Sequence, residues 1–227
     1  MGTEWLLGLV EIILVNIVLS GDNAVVIAMA CRRLKPEQQK RAIFWGTFGA
    51  VFLRLILTFV AVYLLEIPMV EAIGGLLLLY IAINLLMGEE EEGAEKDGLS
   101  VGQAIRTIVI ADLVMSLDNV VAVAGVADGD WSLIGIGLAV SIPLIIWCSQ
   151  LLTNLMKRFP IIVLLGAGLL AYTAAEMMIK DEMIDRWFHP WMSALHYIVP
   201  IVFTAGILLL GIARMKKNRK RNLLEGH

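Results

Sequence analysis

The amino-acid sequence predicts an all-α, polytopic membrane protein of seven transmembrane helices. The chain of 227 residues is 59% hydrophobic and 17% charged, with a mean hydropathy of +0.82. Soluble domains average about 45–50% apolar and about 25% charged residues, so this chain has too little polar material to cover a globular surface. The apolar residues also occur in runs that reach the length of about 20 residues needed to cross a bilayer. Together these observations exclude a soluble globular protein.

Seven apolar runs follow one another along the chain, and each is predicted to form a helix. Pro68 and Pro160 stand at the start of a run, where a helix tolerates proline, and Pro143 is expected to kink the fifth helix. No basic segment precedes the first run, which favours a mature helix over a cleaved signal peptide. The runs are Trp5–Ala30, Ala42–Leu65, Pro68–Met87, Val101–Ala127, Trp131–Leu155, Pro160–Ile179 and Ile198–Ala213.

We expect one membrane domain that occupies the whole chain, 1–227, and contains two repeats. Between the sixth and seventh runs, a segment with Trp187 and Trp191 suits the membrane surface, where aromatic rings collect. The predicted parts are repeat one at 1–87, an acidic inner loop at 88–100, repeat two at 101–179, an outer interfacial segment at 180–197, an extra helix at 198–214 and a basic cytoplasmic tail at 215–227.

The distribution of Lys and Arg predicts the orientation. With the N-terminus outside, all 18 of these residues except Arg54, Lys180 and Arg186 lie in inner loops or in the C-terminal tail. Basic residues collect on the cytoplasmic side of membrane proteins, so we expect an outer N-terminus, a cytoplasmic C-terminus and an odd number of crossings. The expected partner of the basic tail is the anionic lipid of the bilayer and not a nucleic acid.

The chain repeats itself. The segment Leu19–Ala28 resembles the segment Met115–Ala124, and Gly74 of the third run aligns with Gly166 of the sixth at nearly the same offset. Because each repeat holds three helices, the second copy must be inverted in the membrane. Inverted repeats are typical of secondary transporters, in which the binding site lies at the repeat interface.

Two aspartates at equivalent positions of the repeats are the main candidate site residues. A carboxylate inside a membrane helix costs on the order of 2.5–3.5 kcal/mol unless it is paired or solvated. Each aspartate is followed by Asn and preceded, two positions earlier, by Ser. Neighbouring carboxylate and amide oxygens are ligands that Mg²⁺, Mn²⁺ and Ca²⁺ prefer, and the absence of His from the seven runs argues against zinc and copper(I). The predicted ligands are Asp22, Asn23, Asp118, Asn119, Ser20 and Ser116.

Other interpretations of the aspartates stay open. They could cap a broken helix, or pair with Arg54, the only basic residue near the middle of a predicted helix. Arg54 is expected to neutralise a carboxylate when no metal is bound. Two membrane aspartates could also form the dyad of an intramembrane aspartyl protease. The Gly-x-Gly-Asp pattern of such enzymes is absent, since Leu19 stands where the first glycine belongs, so we expect no enzymatic activity.

A second set of polar residues follows the same repeat. Asn16 aligns with Asp112, and Asn84 aligns with Glu176. Asn16, Asp112 and Glu176 are further candidate ligands or proton carriers, with hydrogen bonding between helices as the alternative. Asp112 precedes Asp118 by six residues, which places the two about 240° apart around an unbroken helix. Both can therefore face one site only if the helix breaks between them.

The two Asp-Asn segments, Leu19–Ala28 and Asp112–Ala124, resemble those of the TerC family of bacterial membrane proteins. The likeness covers essentially the whole chain and is closest to the short members, which are grouped with the LysE-type exporters. The resemblance implies a bacterial inner-membrane transporter of Mn²⁺, working in efflux by alternating access, with protons as a possible second ion and no tightly bound cofactor. It also admits a homo-oligomer, or a membrane partner of secretion or metalation machinery without transport of its own. Some members carry an acidic residue where this chain has Asn16.

Overall fold

The computed structural model describes residues 21–65, 67–87, 100–127 and 131–225, without the side chains of 59, 61–65, 118–127, 131–134, 137–138 and 217–225. This part of the chain contains α-helices and one short 3-10 turn, and no strand, which confirms the predicted all-α class. The helices are α1 Gly21–Cys31, α2 Pro36–Leu65, α3 Val70–Met87, α4 Val101–Ala127, α5 Trp131–Arg158, α6 Pro160–Lys180, α7 Glu182–Phe188 and α8 Met192–Glu225.

The outer surface of the bundle suits a bilayer. Among the described residues, α2, α3, α5, α6 and α8 are each long and apolar enough to span a membrane, and α1 is a shorter apolar helix. On α2, Phe44, Phe48 and Phe52 recur every fourth residue and are 49–58% exposed. A continuous stripe of exposed aromatic rings would drive association in water and is stable against acyl chains. The prediction of a polytopic membrane protein is confirmed.

Differences between the predicted and observed helix limits have local causes. The fourth predicted segment coincides with α4, and α6 begins at Pro160 as expected. Helix α3 begins at Val70 and not at Pro68, because Met69 has a φ of 63°, which lies outside the right-handed helical region. A 3-10 turn at His189–Trp191 separates α7 from α8, and α8 then continues from Met192 to Glu225. One helix thus includes part of the expected interfacial segment and most of the expected tail.

Hydrogen bonds at the helix ends show which ends lie next to each other in the bundle. Arg32, just after α1, donates to the carbonyl oxygen of Leu85 near the end of α3 at 2.9 Å. Lys157, near the end of α5, donates to the side chain of Gln39 in the first turns of α2 at 2.7 Å. At the opposite end, the carboxylate of Asp181 after α6 accepts a backbone N–H from the first turn of α3 at 3.2 Å. Helices α1, α3 and α5 therefore end on the side of the bundle where α2 begins, and α6 ends on the opposite side, where α3 begins.

The packing of the helices follows the internal repeat. Helix α2 packs along α4, and α1 packs along α5, and these pairs are equivalent when α1–α3 are exchanged with α4–α6. Helix α3 packs along α6, a pair that the exchange leaves in place. At Gly74 of α3 a Cβ atom would lie 3.2 Å from Val114 of α4, and at Gly166 of α6 it would lie 2.8 Å from Val25 of α1. The two contacts thus join helix pairs, α3 with α4 and α6 with α1, that correspond to each other in the predicted repeat.

Helices α3 and α6 cross at very short range at the centre of the fold. A Cβ atom on Gly75 would lie 2.5 Å from the carbonyl oxygen of Ala174. A rigid backbone atom cannot yield that much space, so the approach requires glycine. Helix α8 lies outside the repeat and packs against α6.

Candidate metal centre

A buried ion pair joins α2 to α4 inside the bundle. Nη2 of Arg54 donates to Oδ1 of Asp112 at 2.5 Å, and the two side chains are only 3% and 8% exposed. Nε of Arg54 donates to the hydroxyl of Ser116 at 2.9 Å, and this hydroxyl donates in turn to Oδ2 of Asp112 at 3.1 Å. Both carboxylate oxygens of Asp112 are thereby engaged, and the three side chains form a closed ring of hydrogen bonds.

The local sequence explains why these side chains meet. Asp112 and Ser116 are four residues apart on α4, so they lie on the same face of that helix. The hydroxyl of Thr58 donates to the backbone carbonyl of Arg54 at 2.9 Å. Because this bond is made to the backbone, it leaves the Arg54 guanidinium available for Asp112 and Ser116. Taking two charges out of water is costly, and their attraction compensates only when the geometry and the remaining hydrogen bonds are good. The Arg54 ring of contacts meets that condition.

Asp22 and Asn23 lie at the start of the described part of α1, next to this ion pair. The carboxylate of Asp22 accepts the backbone N–H of Asn23 at 2.8 Å and interacts electrostatically with both Arg54 and Asp112. Asn23 is 3% exposed, and neither its amide oxygen nor its amide nitrogen has a hydrogen-bond partner among the described residues. Buried amides are almost always hydrogen-bonded, and an exception commonly marks a site for an ion or water. Asn23 therefore offers an amide oxygen that no described residue engages, next in sequence to a carboxylate.

The other predicted ligands are distributed differently. Asn16 and Ser20 lie outside the described residues, as do the side chains of Asp118 and Asn119. Glu176 binds Lys180 one turn further along α6 at 3.2 Å, with both side chains around two-fifths exposed, so it is engaged away from the Arg54 ion pair.

The continuity of α4 bears on whether Asp112 and Asp118 can serve one site. The helix runs unbroken from Val101 to Ala127, through Ser116, so its backbone does not loosen there. Six residues along such a helix correspond to about 600°, which leaves positions 112 and 118 on different faces. Asp112, ranked below Asp118 from the sequence, is the α4 carboxylate that shares Arg54 with Asp22.

The arrangement can bind a hard cation but does not by itself form a complete site. No three His, Cys, Asp or Glu side chains converge within the described part of the chain. Two carboxylates and one amide oxygen account for three ligands, whereas Mn²⁺-like hard cations take about six oxygens. Backbone carbonyls and water are the chemically suitable sources of the remainder.

Comparison with known proteins gives the family. Residues 1–221 match the model of the integral membrane protein TerC family. The chain belongs to the TerC family. No solved structure matches the chain.

Three TerC-family relatives illustrate the range of similarity. The uncharacterized membrane protein YjbE of Bacillus subtilis is 44% identical over 209 residues, which cover 92% of this chain and 95% of the relative. The uncharacterized membrane protein YkoY of the same organism is 30% identical over 127 residues, or 53% of this chain and 39% of its own length. The YegH protein of Escherichia coli is 27% identical over 179 residues, or 70% of this chain and 34% of its own length. Together with the spanning helices, these matches establish a multi-pass membrane protein of the TerC family.

Proposed function

We propose that this protein transports divalent metal cations across the bacterial inner membrane, with Mn²⁺ efflux as the specific activity. The observation that supports this most is the buried amide of Asn23, unpartnered among the described residues and next in sequence to Asp22, whose carboxylate interacts electrostatically with Asp112. Polar groups held at membrane depth are costly and are typically kept for binding or transport. The donors are all oxygen atoms, which favours Mn²⁺ or Mg²⁺ over zinc and copper(I).

Arg54 supplies the countercharge of the empty state in this proposal. Its guanidinium holds Asp112 through a 2.5 Å contact, so a metal that binds Asp112 must displace a cation that is already there. The Arg54 guanidinium and a divalent metal ion would compete for the Asp112 carboxylate. The protein would then have two states, one with each cation bound to Asp112. The carboxylate that releases the metal ion can bind a proton in its place, which would couple proton exchange to metal transport.

Metal flux into proteoliposomes tests the proposal. Purified protein reconstituted around a metal-sensitive dye should carry Mn²⁺, and Asp22→Asn and Asp112→Asn should each abolish the flux, because each removes a unit of negative charge from a low-dielectric site. The matched control is Glu182→Gln, whose carboxylate is 78% exposed and should be dispensable. Zinc flux equal to the Mn²⁺ flux would contradict the oxygen-only site. Absence of any flux in the wild-type protein would favour the non-transporting partner of secretion or metalation machinery.

Binding stoichiometry distinguishes a single shared site from two stations. If Asp22 and Asp118 build one site, either Asp22→Asn or Asp118→Asn should eliminate the one bound Mn²⁺ measured by equilibrium dialysis. If the ion visits two stations in turn, two ions should bind and each variant should retain one. The unbroken α4 favours two stations, since it keeps the positions of Asp112 and Asp118 on different faces.

A further inference from the structure

A basic cavity lies at the end of the bundle where α1, α3 and α5 finish, beside the Gly211–Met215 part of α8. Its volume is about 340 Å³, and four cations contribute to its wall: Arg32, Arg33, Lys157 and Arg214. None of the described residues that line it is acidic. The four cations come from the α1–α2 turn, from α5 and from α8, so the fold gathers charges that are far apart in the sequence.

Two of these cations are positioned by the end of α3. Nη2 of Arg32 donates to the carbonyl oxygen of Leu85 at 2.9 Å, and Nη1 of Arg214 is 3.5 Å from the carbonyl oxygen of Leu86. The last carbonyls of a helix lack partners within it and attract cations. A guanidinium has five N–H groups in a planar fork that matches the oxygens of a phosphate. The helix end thus orients two phosphate-binding groups toward the same cavity.

The cations repel one another in the absence of a ligand. Burial, together with the charges of Arg33 and Arg214, lowers the pKa of the Arg32 guanidinium to about 10. Arg32 therefore stays protonated at neutral pH, and the repulsion it meets from the two neighbouring guanidinium groups persists there. A bound anion would offset both this repulsion and the loss of hydration.

The remaining wall of the cavity is apolar and lies at the level of a membrane surface. Leu86, Leu164 and Met215 contribute aliphatic side chains to it. Phe159, in the corner between α5 and α6, is 46% exposed, and its ring carries the Arg158 guanidinium 5.5 Å from the ring centroid. Aromatic and basic side chains of this kind typically mark the headgroup layer. The site therefore offers cations to a headgroup and aliphatic side chains to the chains attached to it.

We propose that the cavity binds the phosphate headgroup of an anionic phospholipid, with the acyl chains along the apolar wall. Basic pockets between transmembrane helices commonly hold such headgroups. A cavity of about 340 Å³ has room for a phosphoglycerol group, since about 10–15 Å³ of such volume holds one water molecule. Helix α8, which lies outside the repeat, supplies Arg214 and Met215, and both repeats supply other lining residues.

Lipid titration of the purified full-length protein tests the proposal. Protein in dodecyl maltoside is titrated with dioleoyl phosphatidylglycerol, and bound lipid is counted by native mass spectrometry. Arg33→Gln and Lys157→Gln should each weaken binding about fivefold, and the double variant about 25-fold, because each surface cation contributes about that factor. Arg158→Gln is the matched control, since Arg158 adjoins Lys157 in sequence but is not part of the cavity wall, and it should stay within about twofold of the wild type.

Three further outcomes decide the proposal. Dioleoyl phosphatidylcholine should bind more weakly than phosphatidylglycerol, because its headgroup has no net negative charge, and equal binding would overturn the requirement for an anionic lipid. Sodium phosphate should not displace bound phosphatidylglycerol, and full displacement at millimolar concentration would show that the site takes a soluble anion. Loss of lipid in Arg158→Gln but not in Arg33→Gln would overturn the location. Arg33 is exposed, so Arg33→Gln should keep the wild-type melting temperature in lipid-free detergent, which separates lost binding from lost folding.

Discussion

Removing the charge of Arg54 should destabilise the protein by several kcal/mol. The Arg54 and Asp112 side chains are 3% and 8% exposed, with 2.5 Å between Nη2 and Oδ1. Arg54→Gln would leave Asp112 as a buried charge that retains the hydroxyl of Ser116 as a donor. Breaking a buried pair by removing one partner costs about 3–5 kcal/mol. At about 2–4 °C per kcal/mol for a chain of this length, the melting temperature should fall by roughly 6–20 °C.

The control for Arg54→Gln is the same substitution in an exposed pair. Nη2 of Arg186 and Oε1 of Glu182 are also 2.5 Å apart, but these side chains are 66% and 78% exposed. Exposed pairs contribute about 0–1 kcal/mol, so Arg186→Gln should change the melting temperature by no more than about 4 °C. Thermal unfolding of detergent-solubilised protein, followed by tryptophan fluorescence, measures both variants under one condition.

A double variant separates loss of the pair from loss of packing. Arg54→Gln combined with Asp112→Asn removes both buried charges and should recover at least half of the stability lost in Arg54→Gln, because neutral replacement of a whole pair is often tolerated. The reasoning is refuted if Arg54→Gln behaves like Arg186→Gln. It is equally refuted if the double variant loses the sum of the two single losses, since independent effects would mean that no ion pair is being broken.

Three further predictions concern packing, capping and orientation. Gly75→Ala should lower the free energy of unfolding by about 1–3 kcal/mol, because the added methyl group would meet a backbone carbonyl of α6. Gly206→Ala, where the added methyl group has no atom within 4 Å, should raise this free energy by about 0.5–1 kcal/mol. Thermal unfolding of the two variants side by side checks the contrast. Asp181→Ala should lower the free energy of unfolding by about 1–2 kcal/mol, because its carboxylate accepts backbone N–H groups of both α3 and α7. Amide hydrogen exchange in α7 should become faster in this variant. Unchanged exchange would show that Asp181 does not cap α7. In a cysteine-free background, a cysteine at position 182 should react with an impermeant maleimide in intact cells and one at position 37 should not, and the opposite pattern would reverse the orientation expected from Lys and Arg.

The helices and their duplication could be predicted from the sequence because they depend on local information. A run of about 20 apolar residues has one stable form in a bilayer, which accounts for α4 appearing with its predicted limits. The start of α3 could not be placed as well, because the positive φ of Met69 depends on how the turn joins two packed helices. The length of α8 was underestimated since polar residues can continue a helix that apolar residues began.

The candidate site was predictable in its residue types but not in its pairing. A lone arginine inside a membrane helix requires a carboxylate, which the sequence indicated for Arg54. The sequence offered Asp22, Asp112 and Asp118 as partners and could not choose among them, because the choice depends on how α4 is rotated against α2. Asp112 is selected by the ring of hydrogen bonds that includes Ser116. That no described residue hydrogen-bonds the Asn23 amide was not predictable at all, since such contacts depend on how the helices pack.

The way in which the repeats pack has a consequence for how the protein can fold and move. Helix α2 packs mainly on α4, and α3 mainly on α6, so each repeat finds its partners in the other repeat. A three-helix half on its own would leave those faces, including the glycine surface of α3 at Gly75, without a counterpart. The halves are therefore interlocked and not two adjoining modules, and neither is expected to persist as an independently folded fragment. In the proposed transport cycle, any bodies that move against each other should therefore each contain helices from both repeats.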